Sequence, residues 1–176
     1  MCLIPIDKIR VAVNDILCYK CVFVEKPCPT NMWIAPYQVN RFQFNSRLEA
    51  ESGEDGAAFH LSIVPHNGLE AICKGFHAYV SLTSAMHDNI MNMRSSMWYV
   101  KFQARLAQCV IPKGSEYCVG DRDDIVSTHM IVFSDLLEFR RYVSDSTRDG
   151  RTLLTTISGR ASSVDTGTLN PITKYF

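Results

Sequence analysis

The chain has 176 residues, 47% of them hydrophobic and 20% charged, with 18 basic side chains against 18 acidic ones. That size and composition predict one globular domain with one core. The zero net charge argues against a DNA- or RNA-binding surface, and no apolar stretch approaches the roughly 20 residues that span a bilayer. The start, MCLIPIDKIRV, has no charged region followed by a long apolar one, so no secretory leader is expected and a cytoplasmic setting follows. Seven irregularly spaced cysteines fit free thiols packed as small hydrophobes in that setting.

In chain order, Ile16–Val24 (ILCYKCVFV) is rich in β-branched and aromatic residues and predicts a strand, broken by Pro27, Cys28, Pro29 and Asn31. Trp33–Phe44 holds Pro36 and predicts a loop leading into a short strand. The acidic stretch Glu49–Gly56 predicts an exposed loop, and Phe59–Val64 a strand that ends in a turn at Pro65–Gly68. Gly75–Val80 (GFHAYV) predicts a short strand, and Ser81–Thr83 the start of a helix whose Met86, Ile90 and Met93 share one face. From Met97 to Ile111 apolar and polar residues alternate. Trp98, Val100, Phe102, Ala104 and Leu106 take one face; Tyr99, Lys101, Gln103 and Arg105 take the other, which is expected to be wet.

Pro112-Lys113-Gly114 predicts a turn. Short strands are expected at Glu116–Val119 and Ile125–Phe133, separated by the acidic loop Gly120–Asp124. Ser134 is expected to cap a helix Asp135–Val143, with Leu136, Phe139 and Val143 inward. Composition then shifts toward Ser, Thr and Gly. The expected division is a single α+β domain over 1–143 and a C-terminal extension or arm over 144–176. The expected fold class is a mixed, largely antiparallel sheet with two helices.

Few motifs carry chemistry. Cys18-Tyr-Lys-Cys21 is a CxxC, but residues i and i+3 on a strand point to opposite faces, so a shared zinc ion is not expected. Asp121, Asp123 and Asp124 have oxygens suited to a divalent cation but lack the spacing of a calcium loop; a solvated turn is the plainer reading. No metal is expected. There is no Gly-rich phosphate loop and no GxSxG elbow. Lys113 is a strand terminator's side chain or a phosphate contact. Trp33, Tyr37 and Phe42 form either an exposed patch or a cover for one end of the sheet.

His77 is the most informative residue. On a strand it shares a face with Tyr79, away from Phe76, Ala78 and Val80. A histidine and a tyrosine side by side can hold a purine or a nicotinamide, by stacking and by donating to a ribose or phosphate. The alternative is a histidine hydrogen-bonded to a loop carbonyl at the sheet edge.

The pieces MCL, NDILCYKC, APY, KGFHAY with TSAM, VIPKGSEYCVG and DIVSTHMIV resemble a loosely defined set of small proteins of unknown function from phages and gut bacteria such as Bacteroides. The resemblance covers residues 1–133. More distantly, Tyr19-Lys20 and GFHAYVSLTSAM are similar to the ADP-ribosyltransferase fold. In that family a Tyr-His or Tyr-Arg pair and a Gly-Phe-Tyr strand grip the riboses of NAD. Lys20 stands where that family has His or Arg, and only Glu116 and Glu138 lie late enough to serve as its acid.

The resemblances imply a phage-associated accessory protein, acting for instance against host defence, that binds a partner protein or a nucleotide-like ligand without turnover. Tyr19, Lys20, His77 and Tyr79 are its candidate ligand-binding residues; no catalytic residue is assigned and an NAD-like nucleotide is the conceivable cofactor. An ADP-ribosyl-transferring or NAD-cleaving enzyme is the alternative reading. A homo-oligomeric virion component that exchanges the 144–176 arm between subunits is the third.

Overall fold

The computed structural model describes residues 3–25, 31–35, 41–50, 58–87 and 102–154. Its strands are β1 (Arg10–Val11), β2 (Asp15–Glu25), β3 (Met32–Ile34), β4 (Arg41–Gln43), β5 (Arg47–Glu49), β6 (Val64–His66), β7 (Leu69–Ala71), β8 (Phe76–Tyr79), β9 (Phe102–Ile111), β10 (Glu116–Val119), β11 (Asp124–Ser127), β12 (His129–Val132) and β13 (Leu153–Leu154). Helix α1 is described over 82–87, and α2 spans Leu136–Arg148. The α+β class and the largely antiparallel sheet with two helices agree with the sequence. Among the described residues, no helix is long and apolar enough to cross a membrane.

Among the described residues, eleven strands form one sheet, whose main path runs β1-β10-β11-β8-β2-β9-β12-β5. All its ladders are antiparallel except β13 against β2. The sheet cannot be flat. β11 and β12 lie four strand steps apart along that path, about 19 Å in a flat sheet, yet only Thr128 separates them in sequence, a reach of about 7 Å. The sheet therefore curls until the continuous stretch from β11 to β12 closes it.

The expected single strand Ile125–Phe133 is thus two strands with a break. At the break, Thr128 donates its N–H to the Glu116 carbonyl at 3.0 Å, and its hydroxyl accepts from the Glu116 N–H at 3.1 Å. A residue leaving one ladder for another keeps its backbone satisfied in this way.

Period-two alternation then sorts side chains into an inside and an outside. Ile16, Cys18, Val22 and Val24 of β2 meet Cys109 and Ile111 of β9, Ile125, Met130 and Val132 in the enclosed core. On the outer face, Leu17, Val110, Ile131 and Phe133 are covered by Phe139 and Val143 of α2. A second outer cluster covers the other wing, where Leu3, Leu61 and Ile72 pack on Cys118 and Val126. The expectation that Gln103 and Arg105 lie on a wet face of β9 holds only at its start. From Cys109 to Ile111 every residue is buried, because the enclosed core takes one face and α2 covers the other. Trp98, Val100, Ile90 and Met93 lie outside the described residues, as do Tyr37 and Pro36.

Three other expectations change. Residues 59–63 form no strand; β6 begins at Val64 and turns through Asn67 and Gly68, both with positive φ, into β7. A two-residue Asn-Gly hairpin needs this left-handed backbone, so the turn is tighter than the expected Pro65–Gly68. Helix α2 is capped by Asp135 rather than Ser134: its carboxylate accepts the Glu138 N–H at 2.9 Å.

That helix also does not stop at Val143. It runs to Arg148 and ends in a Schellman motif, with Gly150 at φ 70°, Gly150 N–H on the Thr147 carbonyl and Arg151 N–H on the Ser146 carbonyl. The turn aims Arg151 back at Asp15, a carboxylate only 1% exposed. Asp15 accepts from the Lys113 N–H and the Tyr142 hydroxyl, each at 2.8 Å, and Arg151 lies 3.6 Å away. Burial together with the Asp15 carboxylate pushes the Tyr142 phenol up to about 12. The boundary expected between 143 and 144 therefore cuts a helix. Residues 144–154 belong to the domain, and 155–176 lie outside the described residues.

Candidate ligand-binding site

Strand register brings three of the four candidate residues, Tyr19, His77 and Tyr79, together on the outer face. Tyr79 of β8 stands opposite Tyr19 of β2 on one side and Asp124 of β11 on the other. Directly opposed side chains on an antiparallel pair have Cβ atoms about 5 Å apart, so Tyr19, Tyr79 and Asp124 form a row. His77 has the same facing as Tyr79 and stands opposite Val126. The row lies between the two outer covers: Tyr19 packs against the α2 cluster, and Val126 belongs to the cluster on the other wing.

Lys20 faces the other way, into the enclosed core, and is 8% exposed. Its ammonium donates to the His77 carbonyl and sits 5.7 Å from the centre of the Trp33 ring. The reason is local. β2 and β8 share one pair, Tyr19↔Tyr79, and four residues on β2 pairs with β3 at Phe23↔Ile34. Where those neighbours diverge, a long cationic side chain reaches a carbonyl on β8. Lys20 thus fixes the backbone that carries the imidazole.

His77 is unusual electrostatically. Burial, with the Lys20 charge adding to it, lowers its pKa to about 3, so the ring is neutral at ordinary pH. A neutral imidazole offers one donor and one acceptor. Here both ring nitrogens are shielded from solvent and neither has a hydrogen-bond partner among the described residues. Burial also raises the Tyr19 phenol, with Cys18 adding to it.

The sequence predicts a solvated turn at Asp124, yet it is 5% exposed, and its Oδ1 lacks a partner among the described residues. Burial raises its pKa. Nothing local signals this; its place beside Tyr79 depends on how β8 and β11 pair. The other loop acids diverge from it: Asp123 takes the Ser84 hydroxyl at 3.2 Å near the start of α1. Among the described residues, no group of three or more His, Cys, Asp or Glu is placed to hold a metal ion. Cys18 and Cys21 are both buried, and strand alternation puts them on opposite faces of β2.

Neither late glutamate joins the row. Glu116 lies on β10, two strands from β8, and its carboxylate takes the Leu61 N–H and the His60 ring, each at 2.9 Å. Glu138 pairs with Arg141 on the surface of α2. Lys113 contributes its backbone N–H to Asp15, and Trp33 is 1% exposed, stacked on Phe42 at 4.7 Å. No protein-family model matches the chain, no curated protein matches it, and no solved structure matches its fold.

Proposed function

We propose that this protein binds a nucleotide-like ligand on the outer face of β2 and β8 and does not turn it over. One observation carries the reading: Tyr19 and Tyr79 oppose each other, and beside them His77 holds a neutral ring whose two nitrogens have no partner among the described residues. A buried polar group left unpaired costs roughly 1–3 kcal/mol. A ligand that supplies one acceptor and one donor removes that cost, as the edge of a nucleobase or a ribose hydroxyl does. The two phenol rings offer a stacking surface for the base. Lys20 serves as a positioning residue through the His77 carbonyl.

Native mass spectrometry of the freshly purified protein, followed by calorimetric titration with NAD and ATP, tests this. Retained or titratable nucleotide is expected, with affinity falling about tenfold or more in His77→Ala and Tyr79→Ala, the usual weight of a stacked base. Absence of binding to either nucleotide, with a host protein captured instead, would replace this reading with the partner-protein role. The phage-accessory and anti-defence setting rests on the resemblance of residues 1–133.

A second reading, an ADP-ribosyl-transferring or NAD-cleaving enzyme, is favoured by the shared face of Tyr19, His77 and Tyr79. Its acid would be Asp124, which stands in their row, rather than Glu116 or Glu138. Release of nicotinamide from NAD, abolished in His77→Ala while the fold persists, separates an enzyme from a binder.

A further inference from the structure

His77 has ring nitrogens that solvent does not reach, so part of its surroundings must move before a ligand touches them. Residues 58–63 are the segment built to do so. They cross the wing that carries β8 without joining a strand, and only Leu61 among them is buried. The Leu61 side chain lies over Gly75: a Cβ on Gly75 would come within 3.0 Å of Leu61 Cδ2 and 2.8 Å of Val126 Cγ2. Gly75 lies two residues before His77, and Val126 lies directly across from it. Leu61 therefore sits against two of the positions that border the imidazole on this face, the third being Tyr79. Gly75, at φ 118°, has both the backbone and the missing side chain that this close approach requires.

The segment is fastened by one carboxylate. Glu116 Oε2 accepts the Leu61 N–H and Oε1 meets His60 Nδ1, each at 2.9 Å. His60 itself is largely in solvent. A segment held by one buried side chain, Leu61, one half-buried side chain, Phe59, and a side-chain fastening opens more cheaply than a ladder strand. We propose that residues 58–63 are a strap over the His77 end of the site, with Leu61 as its plug and Glu116 as its catch, and that it lifts to admit the ligand. Its purpose rests on the binding reading; its opening can be measured with no ligand present.

Hydrogen exchange on the full-length protein, followed by mass spectrometry, tests the motion first. The Leu61 amide is expected to exchange at least about a hundredfold faster than the β2–β9 ladder, as a local opening does. Exchange as slow as that ladder overturns the proposal without any variant being made. Carbethoxylation of His77 by diethyl pyrocarbonate, located by peptide mapping, tests the cover. Glu116→Ala and Leu61→Ala are each expected to raise the His77 rate about tenfold, the factor that goes with losing a charge-assisted hydrogen bond or a small plug. Ladder exchange should stay unchanged in both. An unchanged His77 rate in variants whose strap does open would show that something else covers the ring. A strap that opens as expected in a protein that binds neither NAD nor ATP would sink the binding reading and leave the strap standing.

Discussion

His77, Lys20 and Asp124 show how one strand's two faces divide labour. The chain spends a buried lysine on a backbone carbonyl behind the sheet, and it leaves an imidazole and a carboxylate oxygen without partners in front among the described residues. Asp124 allows a direct test. Burial raises its pKa, so the folded state holds the proton more tightly than the unfolded chain does. The stability linked to this group is full below the ordinary carboxylate range near 4 and is lost as pH rises through the raised value. Asp124→Asn is therefore expected to stabilise the protein at pH 7 by roughly 1 kcal/mol, the order for easing a poorly satisfied buried charge. Urea denaturation at pH 7 and again at pH 3.5 would check it: the advantage should shrink at the acid end. A variant that is destabilised at pH 7 but not at pH 3.5 would show that the ionised carboxylate is needed where it stands.

Among the elements, β2 organises the sheet. One of its edges pairs with β9 over ten residues, and the other is shared in turn by β13, β8 and β3. Divided edges of this kind let a single strand carry a site on one face and a core on the other. Helix α2 is the element whose ends the structure defines most fully. Asp135 caps its first turn, and the capping bond to Glu138 holds the Asp135 carboxyl below its usual range. Asp135→Ala is expected to cost about 1 kcal/mol. Because the folded pKa is depressed, the ionised cap's contribution is present above the ordinary carboxylate range and fades as pH falls through the lowered value. Thermal melts of both proteins from pH 7 down to pH 2.5 should converge at the low end; a constant gap would mean that the cap acts through packing instead.

For the whole molecule, the limits of the domain are set by packing rather than by composition. Ser, Thr and Gly become frequent after residue 143, yet Ser146 is 2% exposed in the network around Asp15, and Leu153 packs on the α2 cluster. Removing one partner from a buried charged network costs about 3–5 kcal/mol. A chain ending after Val143 loses Ser146, Arg151 and β13 together and is expected to be unfolded or nearly so, while a chain ending after Leu154 keeps all three. Circular dichroism and denaturation of the two truncations, side by side, decide between these limits. Equal stability would restore the boundary at 143.

The sequence by itself determined the features whose causes are local. The β-branched and aromatic residues of Ile16–Val24 specify a strand, Pro65–Gly68 a turn, and the alternation through Gly75–Val80 puts His77 and Tyr79 on one face. The sequence ends α2 too early, at Val143, because the polar residues that follow hide a helix whose buried positions include a serine. Tertiary structure alone decided the rest. Tyr19 meets Tyr79, and Tyr79 meets Asp124, only because β8 is inserted between β2 and β11. Lys20 reaches the His77 carbonyl only because β2 exchanges one neighbour for another beside it. The break at Thr128 exists because two ladders claim adjacent stretches of one chain. Pairings between segments 45 to 60 residues apart follow from how both faces of every strand are covered at once, and no window of sequence holds that information.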